Sequence, residues 1–369
     1  MPKLAIVPLV TVAAATLGFL FHHPAAPLGL EHPAWFELPL CGLMHWDANW
    51  YREIAVNGYW YRPGQQSPVA FFPGFPLSVR ALSAIGLSVW ASEALVSFVC
   101  GAGALLAFRR WASHFVNERV RDTATWALAL YPFAFFLFGV GYADSLFLLL
   151  VCSAFLCVEE DRLPLAALLG ALATFCRPAA PAVVLGLLAC ALEKRRRAGQ
   201  PLRPRDFLPA LSGLGAAAYM LYLGATFGDP AAFAHVQSAP GWDQPFGLHT
   251  ALKISFIDAF RSGRLEPDEQ LRLVGHAAIA GAAVLLLVPT WRRLPRAYAL
   301  YCGAAIGLPI LASKDFIGFG RYAIAAFPLF LTLALLLEEK RPLRLVWWPL
   351  SAGLLVFLAF QFGGGAYLS

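Results

Sequence analysis

Long apolar runs recur along most of this chain, and they set the strictest limit on its fold. Of its 369 residues, 59% are hydrophobic and only 14% are charged, and the mean hydropathy is +0.63. A soluble protein of this size cannot hide so much apolar surface from water. Short clusters of charge separate the runs, so no segment is set apart as a soluble domain. The sequence therefore predicts a single all-α integral membrane domain over residues 1–369, in contact with a lipid bilayer.

Eleven of these runs are candidate transmembrane helices, because each approaches the length that crosses a hydrocarbon core. The first run follows only Lys3 and lacks a clean small-residue cleavage site, so we expect a retained helix rather than a removed signal peptide. The eleven predicted runs cover approximately residues 4–21, 90–108, 122–138, 143–158, 163–176, 178–192, 207–224, 272–289, 297–312, 321–337 and 345–362.

A twelfth apolar segment, residues 71–87, contains two prolines, a glycine and Arg80, and we expect it to lie along the outer membrane surface or to re-enter shallowly. Lys and Arg concentrate in the cytoplasmic loops of membrane proteins. If this segment does not cross and the N-terminus is cytoplasmic, eighteen of the 28 Lys and Arg lie inside; if it crosses, only eight do. The sequence therefore predicts external loops at residues 22–89 and 225–271.

The first external loop contains the stretch WDANWYREIAVNGY, which we expect to form a short amphipathic helix at the membrane interface. Asp47 stands there among Trp46, Trp50 and Tyr51. A carboxylate beside apolar rings loses hydration, which raises its proton affinity and suits a general base, and aromatic faces suit a sugar. The alternative is an ordinary aromatic belt at the interface, with Asp47 as the cap of the helix that follows.

Three more charged residues emerge on the same predicted face. Asp144 opens an apolar run, where an acid also suits a helix N-terminus. Arg177 and Arg321 interrupt apolar sequence, and each needs an anionic partner, for which a substrate phosphate is one choice. The alternative partners are Asp144 or a lipid headgroup for Arg177, and Asp315 for Arg321. We also expect substrate contacts from His235, Gln237, Trp242, Lys314 and Tyr322.

Several functional classes find no support in the sequence. The seven cysteines are scattered without CxxC spacing, and the histidines of the first loop lack the spacing of metal ligands. Nucleotide-binding and hydrolase motifs are absent. No cofactor and no metal-binding residue is assigned, although a divalent metal is left open. The net charge of +6 comes from clusters between apolar runs, which membrane topology explains without nucleic acid.

Two neighbouring motifs resemble a known family. HWDANWYREIAVNGY at residues 45–59, followed by AFFPGFP at 70–76, is similar to the first external loop of the PIG-V family, the second mannosyltransferase of GPI-anchor synthesis, and of its bacterial relatives. Residues 124–150, 168–185 and 320–330 are similar to later segments of the family in the same order. The likeness is specific at the first two motifs and general elsewhere.

The resemblance implies a C-type glycosyltransferase fold with interfacial helices in the first external loop. It also implies a polyprenyl-phosphate sugar donor. The essential Asp of the family's WD pair corresponds to Asp47 in this sequence, with Trp46 beside it. We expect an acceptor hydroxyl to attack polyprenyl-phosphate mannose with inversion, giving an α-mannoside. The composition, rich in Ala, Leu, Gly and Arg, suggests a bacterial plasma membrane, with a glycan, a glycolipid or a protein as the acceptor.

Two other functions are compatible with charged residues in a membrane protein. A transporter or flippase of a lipid-linked or anionic substrate also places Arg and Asp along its path, but it predicts internal repeats and broken helices at the midplane. A scaffold that keeps the fold without catalysis predicts no loss of product when Asp47 is replaced. The clustering of charge on one predicted face favours the enzyme.

Overall fold

A computed structural model describes residues 2–27, 29–245, 247–263 and 265–368, and within these ranges the chain forms helices and no β-strand. The α-helices are, in chain order, α1 Ile6–His22, α2 Leu38–Leu43, α3 Asp47–Asn57, α4 Gly74–Ser83, α5 Val89–Ala112, α6 Glu118–Ala129, α7 Asp144–Glu159, α8 Leu163–Thr174, α9 Ala180–Arg197, α10 Leu214–Phe227, α11 Ala232–His235, α12 Leu248–Ala251, α13 Ile254–Ser262, α14 Pro267–Arg293, α15 Arg296–Ala312, α16 Phe319–Tyr322, α17 Pro328–Glu339 and α18 Arg341–Gly363. The 3₁₀ segments are Pro2–Ala5, Pro68–Ala70, Ala134–Leu137, Pro204–Gly213, Val236–Ser238 and Ala323–Ala325.

Helices long and apolar enough to cross a membrane are fewer than the predicted runs. In the described part of the chain, four helices meet that test, and a pair bent by 92° makes a fifth if it is counted as one span. The four are Val89–Ala112, Pro204–Phe227, Pro267–Arg293 and Arg341–Gly363, and the bent pair is Phe319–Ala325 with Pro328–Glu339. Helical segments lie within all eleven predicted runs. The structure therefore supports a helical membrane protein, whereas eleven crossings stay a prediction.

The predicted run 122–138 is not one continuous helix. Helix α6 ends at Ala129, and a separate 3₁₀ turn follows at Ala134–Leu137. Pro132 lies between them, and a proline lacks the N–H that a continuing helix needs. The four phenylalanines of residues 133–138 are all buried, so this stretch packs inside the bundle. Hydropathy alone did not reveal the break.

The segment that resembled a twelfth span folds as the short helix α4. Its ten residues extend about 15 Å, roughly half of a hydrocarbon core, which agrees with the prediction that it does not cross. Arg80 near its end donates from Nε to the carbonyl of Ala55 at 2.7 Å and from Nη2 to that of Val56 at 3.2 Å. These bonds satisfy carbonyls in the last turn of α3, where a cation is favourable. Helix α4 therefore holds α3 in place.

The first and last helices of the described chain are neighbours. A Cβ atom on Gly18 of α1 would lie 1.9 Å from the carbonyl oxygen of Phe360, and one on Gly363 would lie 1.9 Å from that of Ala15. Glycine at both positions lets the two backbones approach closely, as small residues do between membrane helices. Helices α1 and α18 therefore pack together, and both contact the short helix α2.

Helix α7 defines the two ends of the bundle. It begins at Asp144 and ends at Glu159, about 24 Å away along the axis. The backbone N–H of Asp47 donates to the hydroxyl of Tyr142 at 3.1 Å, so α3 starts beside the beginning of α7. We call this the α3 end of the bundle, and the end that carries Glu159 the opposite end.

Candidate active site

Helix α3 begins with Asp47, directly after a residue in an unusual conformation. Trp46 has φ of 56° and ψ of −114°, a region that a bulky residue rarely adopts, at a cost on the order of 1–3 kcal/mol. Trp46 occupies the N-cap position, and no side-chain hydrogen bond caps the helix there. The interpretation of Asp47 as a helix cap is therefore wrong. The predicted short helix is present over Asp47–Asn57 and is followed by Gly58, whose φ of 84° suits glycine, while its position at a membrane interface stays a prediction.

Four charged side chains meet at the α3 end, and we call them the charge cluster: Asp47, Asp144, Arg177 and Arg321. Arg321 donates from Nη1 to Oδ2 of Asp47 at 3.0 Å, and the same nitrogen lies 3.9 Å from Oδ2 of Asp144. Arg177 donates to the other carboxylate oxygen of Asp144. Acid and base alternate through the cluster, so each charge lies beside an opposite one.

The charge cluster is largely removed from solvent. The exposed fractions of the side chains are 20% for Asp47, 9% for Arg321, 3% for Asp144 and 16% for Arg177. Buried charges require partners, because an unpaired ion in a low dielectric is costly. Asp47 is the more exposed of the two acids, so it is the acid that a substrate can reach.

Two alternative explanations of the charges have different outcomes. Asp144 is the partner of Arg177, as one alternative predicted. Asp315 is not the partner of Arg321; its carboxylate instead accepts a hydrogen bond from the backbone N–H of Ile317 at 2.8 Å. Asp144 also makes no capping hydrogen bond at the start of α7. The two acids therefore serve the arginines rather than the helix ends.

Breaks in the helices place these side chains. Arg177 stands in the turn between α8 and α9, before Pro178, which disfavours a helical residue at that position. Arg321 lies in the single turn α16, which follows Gly318 at φ of 85°. Asp144 is the first residue of α7. Such interruptions are tolerated in a membrane bundle where the backbone is buried in protein or lines a cavity.

Aromatic rings frame both arginines. The ring of Tyr322 lies 5.6 Å from the guanidinium carbon of Arg177 and 5.3 Å from that of Arg321, so both cations contact the same ring. Tyr142 lies 4.9 Å from the guanidinium of Arg321. Nε of Arg321 is buried and has no hydrogen-bond partner among the described residues. An unsatisfied donor in a buried cation is an unmet hydrogen-bonding capacity, which an anion that reached it would satisfy.

The protonation of Asp47 follows from its surroundings. Burial raises the pKa of the Asp47 carboxyl above its usual value, while the Arg321 guanidinium opposes that rise. A carboxylate with a raised pKa accepts a proton more readily, as a general base requires. The pairing with Arg321 favours the charged form, so burial and the ion pair act on the pKa of Asp47 in opposite directions.

The two predicted external loops meet beside α3 and bring three predicted residues together. Trp50 stacks on Phe71 at 5.9 Å between ring centroids, and Trp242 of the second loop lies 5.8 Å from Trp50. Tyr51 is buried and packs edge-on against Phe71 and Phe75, each at 5.2 Å. These rings form an aromatic wall next to Asp47.

Three predicted residues lie apart from the charge cluster. His235 is 63% exposed and pairs through Nδ1 with Asp229 at 2.8 Å, an interaction that lowers the pKa of the Asp229 carboxyl. Lys314 lies 3.7 Å from a carboxylate oxygen of Asp243. The backbone carbonyl of Gln237 accepts a hydrogen bond from Gln244. A substrate contact by His235, Gln237 or Lys314 therefore stays a prediction.

Sequence reasoning missed several neighbours of the site. Tyr142 contacts both the backbone of Asp47 and the guanidinium of Arg321, and its place two residues before Asp144 was an available signal. The indole N–H of Trp46 donates to the carbonyl of Ala366 at 3.2 Å. No local pattern near residue 366 predicts that contact, because it joins the two extremes of the chain.

A metal ion finds no suitable set of ligands in the described residues. No group of three or more His, Cys, Asp or Glu side chains among them could hold one. The two acids of the charge cluster are both engaged by guanidinium groups. A divalent cation would have to displace those arginines, so this donor set does not fit one.

No protein-family model and no curated protein matches this sequence. Solved structures do match. The Archaeoglobus fulgidus oligosaccharyltransferase in complex with Zn and sulfate aligns with a TM-score of 0.50 and 15% identity, over 99% of this chain and 53% of that chain. Its apo form gives a TM-score of 0.45 and 13% identity, over 98% and 56%. The complex with an inhibitory peptide and a dolichol-phosphate gives 0.46 and 14%, over the same shares.

This chain therefore spans about half the length of the oligosaccharyltransferases that it matches. At such low identity the likeness shows a shared fold. It agrees with the expected C-type glycosyltransferase fold, whereas it does not distinguish the PIG-V family within that fold.

Proposed function

We propose that this chain is a membrane glycosyltransferase of the PIG-V type. It transfers a mannosyl residue from polyprenyl-phosphate mannose to an acceptor hydroxyl, with inversion, and forms an α-mannoside. The observation that carries the proposal is the charge cluster, in which Asp47 lies 3.0 Å from Arg321 beside Asp144 and Arg177. The resemblance of the WDANWY stretch to the PIG-V family and the shared fold support it further.

Asp47 is the base in this mechanism. Its Oδ2 bonds Arg321, and the partial exposure of the side chain leaves a path for an acceptor hydroxyl. Asp47 takes the proton of that hydroxyl as its oxygen attacks the anomeric carbon of the donor. The bond between the anomeric carbon and the phosphate oxygen breaks on the opposite face. Its electron pair leaves with the polyprenyl phosphate.

The two arginines hold the leaving group. A phosphate monoester anion is stable without protonation, so a second carboxylic acid is not required to assist its departure. Nε of Arg321 has no hydrogen-bond partner among the described residues, and Arg177 contacts the same Tyr322 ring as Arg321 does. Charge-assisted hydrogen bonds from such preorganised donors stabilise the charge that develops on the phosphate.

Asp144 orients both cations in this proposal. It contacts Arg177 directly and lies 3.9 Å from Arg321, and it is more deeply buried than Asp47. A carboxylate in that position fixes the spacing of the arginines before the donor binds. Trp50, Tyr51 and Trp242 line the side from which a sugar or an acceptor approaches.

The proposed placement is the external face of a bacterial plasma membrane, with a cytoplasmic N-terminus. Under it the chain forms one domain with about eleven spans, and the loops 22–89 and 225–271 surround the site. The segregation of charge supports this placement, because the paired Lys and Arg of the opposite end match a cytoplasmic side. The acceptor is a glycan, a glycolipid or a protein.

A transfer assay tests the function. Purified protein is incubated with polyprenyl-phosphate mannose and a panel of acceptors, and mannosylated product is detected by mass spectrometry. Asp47→Asn should lower transfer by about 10²- to 10⁴-fold, the usual contribution of a general base. Asp122→Asn is the matched control, since Asp122 pairs with Arg109 and Arg121 at the opposite end.

The outcomes separate the alternatives. Full transfer by Asp47→Asn would remove Asp47 from the role of base. Absence of transfer from every polyprenyl-phosphate sugar by the unchanged protein would overturn the glycosyltransferase. Movement of the donor across a vesicle membrane without a covalent product would establish a transporter or flippase instead.

A further inference from the structure

The strained residue before Asp47 is held by the far end of the chain. The indole N–H of Trp46 donates to the carbonyl of Ala366 at 3.2 Å, and its ring packs edge-on against Tyr367 with 5.0 Å between centroids. Trp46 is nevertheless 43% exposed, so the ring is only partly enclosed. The positive φ of Trp46 persists only if its surroundings enforce it. Ala366 and Tyr367 are the contacts that can do so.

Other bonds secure this final segment, residues 363–368. Arg272 of α14 donates from Nη1 to the carbonyl of Tyr367 at 2.9 Å. Nε2 of His45, the residue before Trp46, lies 3.2 Å from the carbonyl oxygen of Gly363. Two successive residues of the first loop, His45 and Trp46, thus bind the final segment, and α14 holds it from the other side.

The final segment also lies beside the start of α3, where Asp47 stands. Burial raises the pKa of the Tyr367 phenol, and the negative charge of Asp47 raises it further. Tyr367 packs against Trp46, the residue before Asp47, while 38% of its surface remains exposed. The segment and the base form one structural unit.

We propose that Trp46 is a positioning residue, and that the final segment fixes the position of Asp47 by clamping the indole of Trp46. The expected effects on kcat and KM rest on the proposed function. The assignment replaces the prediction that Trp46 contacts substrate. Without the clamp, Trp46 relaxes to a negative φ and the first turn of α3 rotates. Asp47 then loses its 3.0 Å bond to Arg321.

Substitutions at position 46 separate backbone geometry from ring contact. Glycine adopts positive φ readily, whereas alanine does not. Trp46→Ala should lower kcat about 100-fold with an unchanged KM for the donor, and Trp46→Gly should retain about tenfold more activity than Trp46→Ala. Equal activity of the two variants, with a raised KM for a substrate, would overturn the proposal in favour of sugar stacking.

Substitutions at position 367 test the clamp itself. Tyr367→Phe keeps the ring against Trp46 and should retain wild-type kcat, while Tyr367→Ala should lower kcat about tenfold and move the acid limb of the rate profile to higher pH. The shift follows because the bond from Arg321 lowers the pKa of Asp47, so losing that bond raises the pKa. Tyr222→Ala is the matched control, since Tyr222 is a similarly exposed tyrosine on α10.

A second readout needs no transferase activity. In an Asp47→Cys background, the rate of labelling by a membrane-impermeant maleimide reports access to position 47. All seven native cysteines are buried, which keeps the background low. Adding Tyr367→Ala should raise the labelling rate severalfold, and adding Tyr222→Ala should not. An unchanged rate overturns the clamp even if transfer is detected, whereas a raised rate without any transfer supports the clamp and overturns only the proposed function.

Discussion

The two ends of the bundle use charge in different ways. At the α3 end, the charge cluster joins side chains from α3, α7, α16 and the turn between α8 and α9, and its members are largely buried. At the opposite end, Arg195 and Asp206 form a buried pair, but other pairs have exposed arginines, such as Arg110 with Glu160 at 3.2 Å and Arg119 with Glu338 at 2.7 Å. The arginines of these pairs are 67% and 72% exposed.

The difference indicates what each set of charges is for. Exposed ion pairs contribute about 0–1 kcal/mol to stability, so those of the opposite end are explained by membrane topology. A buried pair gains little over an apolar replacement, yet losing one partner is costly. Folding stability alone therefore does not explain a buried charge cluster. Ionisable groups buried in a membrane protein usually mark function.

The largest expected effect is at Arg321, which contacts both acids. Arg321→Gln should lower transfer by about 100-fold or more and cost about 3–5 kcal/mol of stability, because two buried carboxylates lose a partner. Arg119→Gln at the opposite end is the matched control. Transfer kinetics and thermal unfolding check both variants. Equal losses in the two would show that the ends do not differ.

A smaller effect is expected at Arg177, which binds Asp144 but not Asp47 directly. Arg177→Gln should raise the KM for the donor about 10- to 100-fold, since a hydrogen bond to a charged group contributes about 1.5–3 kcal/mol. The KM for the acceptor should change little. Steady-state kinetics with each substrate varied in turn decides the matter; parallel rises in both constants would indicate a structural role. Arg110→Gln is the control.

A still smaller effect is expected on the pH dependence of the activity when Arg177 is replaced. Activity requires ionised Asp47, so kcat/KM is lost as pH falls through the pKa of that carboxyl, and burial places this acid limb above the usual carboxyl value of about 4. Arg177 lowers the pKa of Asp47, so Arg177→Gln should move the limb to higher pH. Profiles of both proteins between pH 4 and 8 measure the shift. A limb that moves to lower pH would contradict the assignment.

The smallest effect is expected from a surface pair. Removing Arg119 and Glu338 singly and together should give a coupling energy of about 0.2–1 kcal/mol, which falls as salt screens the charges. Denaturation of the four proteins in detergent at low and high salt measures it. A coupling energy as large as that lost in Arg321→Gln would erase the contrast between the ends.

Local signals predicted the elements around Asp47 well. The end of α3 at Gly58 and the short helix α4 follow from a glycine at positive φ and from prolines, which act within a few residues. The break before Ala134 was missed although Pro132 was visible, because the hydropathy of the run outweighed one residue. Composition predicts membrane contact better than it predicts where one helix ends.

Long-range pairings could not be predicted in the same way. Asp47 and Arg321 are 274 positions apart, and nothing in either neighbourhood specifies the other. Asp315, only six residues from Arg321, was the natural partner by proximity, yet the turn at Gly318 directs the two side chains differently. The contact of Trp46 with Ala366 spans 320 positions and has the same cause.

The wide separation of these partners has a consequence for biosynthesis. A chain is made from its N-terminus, so Asp47 emerges long before Arg321 and before Ala366. Asp144 soon meets Arg177, 33 positions later, but Asp47 has no hydrogen-bonded cation until α16 is synthesised. The first loop can dock in its final form only when the last helices have been inserted. An incomplete chain therefore carries the base without the geometry that would let it act.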